Sequence, residues 1–281
     1  MEMKLDCLPC NLKQILEASR LATDDVQKQE IVMKEALKLI ADYKRYKKPP
    51  ILGRELQRVL VRHTGVLDPY KEIKQKNIEQ ALKILPQLQD FLAKKDDKLY
   101  WALKIAATGN IIDLSVYSDV DVERSILEEL EKEFAICHVS KFKEELRNAR
   151  NVLIIGDNAG ETVLDRILIS ALGDLDVTYA VRSEPIINDA TIEDARASGL
   201  EECAKLITGC NAPGTLMDEC SEDFLYIYHN ADIVISKGQG NFECLINEKR
   251  KIFFLLKAKC PVNAELLGVN LNDYVFIYNG N

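Results

Sequence analysis

The sequence predicts an α/β protein in which an N-terminal helical domain packs on a Rossmann-like, mainly parallel three-layer α/β/α domain. Two patterns carry that expectation. Residues 11 to 148 contain runs such as "QEIVMKEALKLIADYKR", "IEQALKILPQLQDFLAKK" and "VERSILEELEKEF", whose apolar residues recur with the helical period of about 3.6. From residue 151 the chain turns to short runs rich in Val, Ile, Phe and Tyr, separated by helix-compatible segments, as βαβ units require. The boundary is placed after residue 148, giving a helical domain over 1–148 and an α/β domain over 149–281.

In chain order, the helical half breaks at "KKPPILG", "TGVLDPY" and "ATGNIID", where Pro, Gly, Asn and Asp favour turns. The strands of the second half are "NVLIIG", "DVTYAV", "AKLITG", "ADIVIS", "KIFFLL" and "YVFIYN". No internal repeat or low-complexity linker interrupts them.

A composition of 47% hydrophobic and 29% charged residues is that of an ordinary globular protein, and 281 residues allow one or two domains. The start "MEMKLDCLPC" is acidic and polar, and no run approaches the ~18–20 apolar residues of a membrane span, so a cytoplasmic protein without membrane contact is expected. Eight cysteines are too sparse for a disulfide scaffold, which makes reduced thiols the expectation. Charge is divided unevenly: residues 1–150 carry 27 Lys and Arg against 25 Asp and Glu, whereas residues 151–281 carry 10 against 20. An acidic second half speaks against a nucleic-acid partner and suits a divalent cation.

Ligands of open parallel sheets bind beyond the carboxyl ends of the strands. There the sequence places Asp157, Asn158 and Glu161 after "NVLIIG", and Arg182, Ser183, Glu184, Asn188 and Asp189 after "DVTYAV". Lys237, Gln239 and Asn241 follow "ADIVIS", and Lys257 follows "KIFFLL". Hard oxygen ligands and lysines on one edge suit Mg²⁺ or Mn²⁺ beside a phosphate, with Asp157, Asn158 and Asp189 as a partial ligand set. The Gly-rich "SKGQGNF" offers backbone N–H groups and a helix N-terminus to an anion. Plainer readings exist for each residue. The Asp-Asn pair also suits a helix cap, Glu161 and Asp165 suit the positive end of a helix dipole, and single lysines suit solvated surface positions. Neither a G-x-G-x-x-G fingerprint nor a Walker A lysine is present, against an ordinary dehydrogenase or P-loop NTPase. Cys7 and Cys10 of "CLPC" suit a structural, redox or weak metal role, Cys203, Cys210 and Cys220 suit packing, and none of His63, His138 and His229 stands out as a base.

Six segments in order, "LDCLPC", "DPYKEIK", "GNIIDLS", "GDNAGE", "INDAT" and "SKGQGNFE", resemble the DUF89 or ARMT1-like family of metal-dependent damage-control phosphatases, in its stand-alone prokaryotic form with an early CxxC. The resemblance covers nearly the whole chain. It implies a helical region on a Rossmann-like domain and a divalent ion (Mg, Mn, Co or Ni) held by Asp157, Asn158 and Asp189. It further implies phosphate and substrate contacts from Gln239, Gly240, Asn241 and Lys257, with Lys237 adjoining and Asn110 and Asp113 reaching in from the helical domain. Two departures limit it: eukaryotic members carry Asp-Leu-Asn-Tyr-Arg where this chain has "GQGNFE", and their acidic residue after "DN" falls one position beyond Glu161.

The expected activity is metal-dependent hydrolysis of small phosphomonoesters, such as sugar phosphates or damaged phosphometabolites, with Asp157 and Lys257 catalytic. Asp157 either attacks phosphorus or helps activate water, and the sequence leaves both open. A rival is an S-adenosylmethionine-dependent carboxyl methyltransferase, an activity attributed to a human relative, although no glycine-rich methyl-donor loop follows "NVLII". The other rival is a non-catalytic metal- or metabolite-binding protein in which Cys7 and Cys10 matter. Oligomeric state is left undetermined.

Overall fold

The computed structural model describes residues 1–109 and 122–280. Its helices are α1 (Cys7–Ala22), α2 (Val26–Ala41), α3 (Pro49–Thr64), α4 (Lys71–Ala93), α5 (Lys98–Thr108), α6 (Val122–Leu130), α7 (Val139–Leu146), α8 (Glu161–Ala171), α9 (Ile192–Ala197), α10 (Glu222–Asn230), α11 (Gln239–Leu245) and α12 (Pro261–Leu267). The strands are β1 (Phe134–Cys137), β2 (Asn151–Ile155), β3 (Asp176–Val181), β4 (Lys205–Thr208), β5 (Ile233–Lys237), β6 (Phe253–Lys257) and β7 (Tyr274–Tyr278). Local chemistry sets many of the ends. The Asp25 carboxylate accepts from the Gln27 and Lys28 amides to start α2, Pro49 and Pro50 open α3, and Thr191 with Asp194 forms a reciprocal capping box on α9.

The seven strands form one sheet in the order β1-β7-β6-β5-β2-β3-β4. β6, β5, β2, β3 and β4 run parallel, while β7 pairs antiparallel with β6 and parallel with β1. The mainly parallel expectation therefore holds, with one difference. β1 is a strand inside the segment read as helical. Its four residues lie at the sheet edge between two helices, too short to impose an apolar run of their own.

Because successive strand residues face opposite ways, β2 divides between two cores. Val152 and Ile154 join Val163, Leu164 and Ile167 of α8 and the apolar faces of α4 and α5. Leu153 and Ile155 pack with Phe224 and Tyr228 of α10 and Phe242 of α11. Covering on both faces makes the central strands continuous apolar runs, as the sequence shows. A third core is built mainly from α1, α2 and α3, with Ile15, Leu52 and Leu56 among its buried residues and Ile187 of the β3–α9 loop packed against it. Among the described residues no helix is long and apolar enough to cross a membrane.

An ion triad ties α4 to the α/β unit. Lys74, 2% exposed, lies 2.7 Å from both Asp68 and Asp194. Burial pulls the ammonium pKa down, but the two carboxylates outweigh it and the group ends raised, hence charged. Lys74→Met, which strands two carboxylates, is expected to cost about 3–5 kcal/mol in urea unfolding. Adding Asp68→Asn and Asp194→Asn should recover part of it; a loss below about 1 kcal/mol for Lys74→Met alone would contradict the assignment.

Candidate active site

After β2 the sheet extends toward β4 on one side, then returns to place β5 against the other side of β2. The reversal leaves a crevice beyond the carboxyl ends of β2 and β5, the place where open α/β sheets bind ligands. Gly156, Asp157 and Asn158 leave β2 there, and Lys237, Gly238 and Gln239 leave β5.

The two strand ends are held very close. Gly238 has φ +77° and ψ 164°, a region open essentially to glycine. A β-carbon on it would lie 2.0 Å from Asp157 Oδ2. Asn241 fastens the junction: its Nδ2 donates to the carbonyls of Gly156 (2.9 Å) and Lys237 (2.7 Å). Its Oδ1 accepts from Arg182 Nη2 (3.1 Å) and Thr215 Oγ1 (2.9 Å). Those four bonds exhaust the carboxamide, so Asn241 shapes the crevice and has no amide capacity left for the phosphate the sequence assigned to it.

Asp157, Asn158 and Asp189 do come together. Asn158 and Asp189 form a β-bridge, and the Ala190 amide donates to the Asp157 carbonyl at 2.8 Å. Asn158 and Asp189 are buried, whereas Asp157 keeps part of its surface open. Burial, then the nearby Asp189 and Glu161 carboxylates, push the Asp157 pKa well above the ordinary range. Asp189 is also raised, by burial, against the pull of Arg182, whose Nε donates to Asp189 Oδ2 at 2.6 Å. This donor set is hard oxygen throughout, and among the described residues no hydrogen bond reaches the Asp157 side chain. Crowded carboxylates with an open edge fit a divalent cation. No three His, Cys, Asp or Glu side chains among the described residues converge as a ready-made metal cluster, and Arg182 already engages one oxygen of Asp189.

Beneath this group lies a second, fully buried network. Lys237 Nζ is 2.6 Å from Glu161 Oε2 and 2.7 Å from Asp165 Oδ1, while Tyr179 donates to Asp165 Oδ2 at 2.6 Å. Glu161 Oε1 in turn accepts from Asn158 Nδ2 at 3.2 Å. Burial raises Asp165 to about 6, and burial also works against the Lys237 charge, which its two carboxylates hold in place with a raised pKa. Lys237 is therefore a buried internal counter-ion, neither the solvated surface lysine of the plain reading nor an open phosphate ligand. Glu161 and Asp165 are part of that network in addition to opening α8. Gly156 makes room for it, since a β-carbon there would meet the Tyr179 ring at 2.5 Å.

Lys257 does not fill its expected catalytic place. Its Nζ pairs with Glu129 at 3.1 Å over the Tyr274 ring, because the side chain leaves β6 on the α5–α6 face. The same glutamate accepts from Tyr274 (2.6 Å) and Lys132 (2.5 Å); burial works against its charge, and these partners outweigh it, bringing its pKa to about 2. Two residues on, Lys259 is exposed, and its charge, after that of Arg182, works against the rise of the Asp157 pKa. Only its position just past a strand end signalled it. Gln239 Oε1 accepts from the Lys259 (2.6 Å) and Cys260 (3.2 Å) amides and so fixes that loop. Gly240 packs on a backbone, its added β-carbon 1.9 Å from the Pro213 carbonyl oxygen. α11 has seven residues, and the Gly238 amide donates to Leu255, which leaves less of the expected N–H cradle than the Gly-rich motif suggests. Asn110 and Asp113 lie outside the described residues. Cys7 and Cys10 are free thiols, Cys210 and Cys220 pack as expected, and Cys203 is exposed, contrary to the packing role.

Residues 3–275 match the damage-control phosphatase ARMT1-like domain. The chain belongs to this family. A damage-control phosphatase of Pyrococcus horikoshii is 39% identical over 99% of both chains, and one of Archaeoglobus fulgidus 33% over 96% of both. An uncharacterized protein of Methanocaldococcus jannaschii is 35% identical over 98% of this chain and 95% of its own. The crystal structure of a DUF89 family protein from P. horikoshii superposes with a TM-score of 0.92 at 36% identity, covering all of both chains. The α/β architecture is thus that of the family.

Gly238 offers an internal test. Gly268 also has positive φ (+67°) but open space around it. Gly268→Ala should cost about 1 kcal/mol in denaturant unfolding, whereas Gly238→Ala should cost more than about 3 kcal/mol. Equal losses would show that the Asp157 contact imposes nothing.

Proposed function

We propose that this protein is a divalent-metal-dependent phosphatase acting on small phosphomonoesters. The observation that carries the reading is the crowding of Asp157 and Asp189 at the β2/β5 crevice, with Asp157 open on one side. Two of the relatives, those of P. horikoshii and A. fulgidus, are named damage-control phosphatases.

In this reading Asp157, Asn158 and Asp189 hold the ion, with Asn158 turned by Glu161 so that its amide oxygen is the ligand atom. A divalent ion there supplies Lewis-acid polarisation of a phosphoryl oxygen and eases formation of hydroxide. The remaining work falls to side chains. Lys259 draws the phosphoryl oxygens and offsets their charge. Arg182 holds Asp189 in one orientation, and Lys237, anchored by Asp165, holds Glu161. Asp157 either attacks phosphorus or serves purely as ligand; both roles need an ionised carboxylate at this position.

Chelator-stripped protein should hydrolyse p-nitrophenyl phosphate only after Mg²⁺, Mn²⁺, Co²⁺ or Ni²⁺ is restored, and Asp189→Ala should stay inactive with each. Turnover without any ion would overturn metal dependence. Lys259→Ala should lower kcat/KM about 10–100-fold, the loss of one charge-assisted contact. Lys257→Met should leave kcat/KM within about threefold and act on stability; the reverse ranking would return the role to Lys257.

A cation competes with protons for Asp157, whose proton affinity is raised by burial and by the Asp189 and Glu161 carboxylates. Affinity for Mn²⁺, measured by titration calorimetry, should therefore tighten from mildly acidic to neutral pH, with proton release visible in buffers of different ionisation enthalpy. Affinity independent of pH would exclude Asp157 as a ligand.

A further inference from the structure

A cleft of about 330 Å³ lies between the helical region and the carboxyl edge of the sheet. Gln239, Gly240 and Lys259 line it on the sheet side. Gln239 directly follows Gly238, whose α-carbon abuts the Asp157 carboxylate, and Ile187, two residues before Asp189, also lines the cleft. The cleft therefore borders the candidate phosphoryl site. Its other wall is supplied by the start of α1, through Cys7 and Cys10, with Cys260 facing them from the start of α12. Cys7 and Cys10 lie one helical turn apart at the start of α1.

The lining has a definite chemistry. Lys259 is its one cation among the described residues, and Glu243 and Asp6 contribute carboxylates, so it tolerates one phosphate and disfavours a second. Asn11 and Gln14 offer polar atoms for hydroxyl groups, and Pro49, Pro213 and Val262 offer apolar surface. The volume lies at the low end of the ~300–1,000 Å³ typical of ligand pockets, which suits a short carbon chain or single ring. The Cys7 and Cys10 thiols have raised pKa values through partial burial, and no three metal-binding side chains converge among the described residues. A neutral wall fits these thiols better than a metal clip.

We propose that this cleft seats the alcohol portion of the phosphoester, with Cys7, Cys10 and Cys260 as the wall that sets substrate size, a role resting on the phosphatase reading above. The CxxC then belongs to substrate selection, placed there by the helical region while the sheet edge supplies the chemistry.

The test uses wild-type protein with its activating ion. Alkylation of Cys10 by N-ethylmaleimide is followed by peptide mass spectrometry with no addition, with saturating inorganic phosphate, and with excess ribose 5-phosphate over a short incubation. The ester is expected to slow alkylation at least fivefold relative to phosphate. In parallel, Cys10→Trp should lower the ratio of kcat/KM for ribose 5-phosphate to that for methyl phosphate at least tenfold. Equal protection by phosphate and ester, or turnover of the ester with no protection and an unchanged ratio, would overturn the proposal while leaving the phosphatase intact. Absence of turnover of every ester with every ion would overturn the phosphatase reading itself, and this assignment with it.

Discussion

Everything at the crevice depends on the contact between the Gly238 α-carbon and the Asp157 carboxylate. At the switch point between β2 and β5 the chain leaves the two strands toward opposite faces of the sheet, and there it turns away without a side chain between them. Asn241 closes the gap by binding both strand-end carbonyls. With the backbone so fixed, Asp157 stands against Asp189 and Glu161, a crowding of buried carboxylates that raises its pKa. Stability given up at a site in this way is a familiar cost of function.

The helical region contributes by holding the Asp189 loop from both ends. Ile187, two residues before Asp189, adopts φ +50°, which is strained for a β-branched residue, and its side chain packs on the α1–α3 core. Asp194, five residues after, is held by Lys74 and shares its capping box with Thr191. The "DPYKEIK" segment thus acts through Asp68 and Lys74 as a clamp on the loop, far from direct chemistry. Strain at Ile187 persists because packing on one side and an ion triad on the other over-determine the loop.

Much of the fold was legible because a sheet covered on both faces writes its strands as apolar runs, and six of the seven were read that way. β1 escaped because "FAIC" is brief, lies on the edge and sits between helices. At the site, the oxygen cluster of Asp157, Asn158 and Asp189 was legible from its place after strands. The lysines were not. Lys237 and Lys257 stand at equivalent strand ends in sequence, but their partners, Glu161, Asp165 and Glu129, are more than 70 residues away in the chain, and only folding brings them together. Lys259 carried no signal beyond its proximity to a strand end. Asn241 carried a family motif, yet a motif does not distinguish a side chain that touches ligand from one spent on holding the backbone.

The central claim is that the β2/β5 crevice, and not the thiol wall, holds the metal. The most direct measurement is anomalous diffraction from crystals soaked in Mn²⁺. The account predicts one strong peak within coordination distance of Asp157 and Asp189, at about 2.0–2.4 Å. A peak at Cys7 and Cys10, with none at the carboxylates, would contradict it.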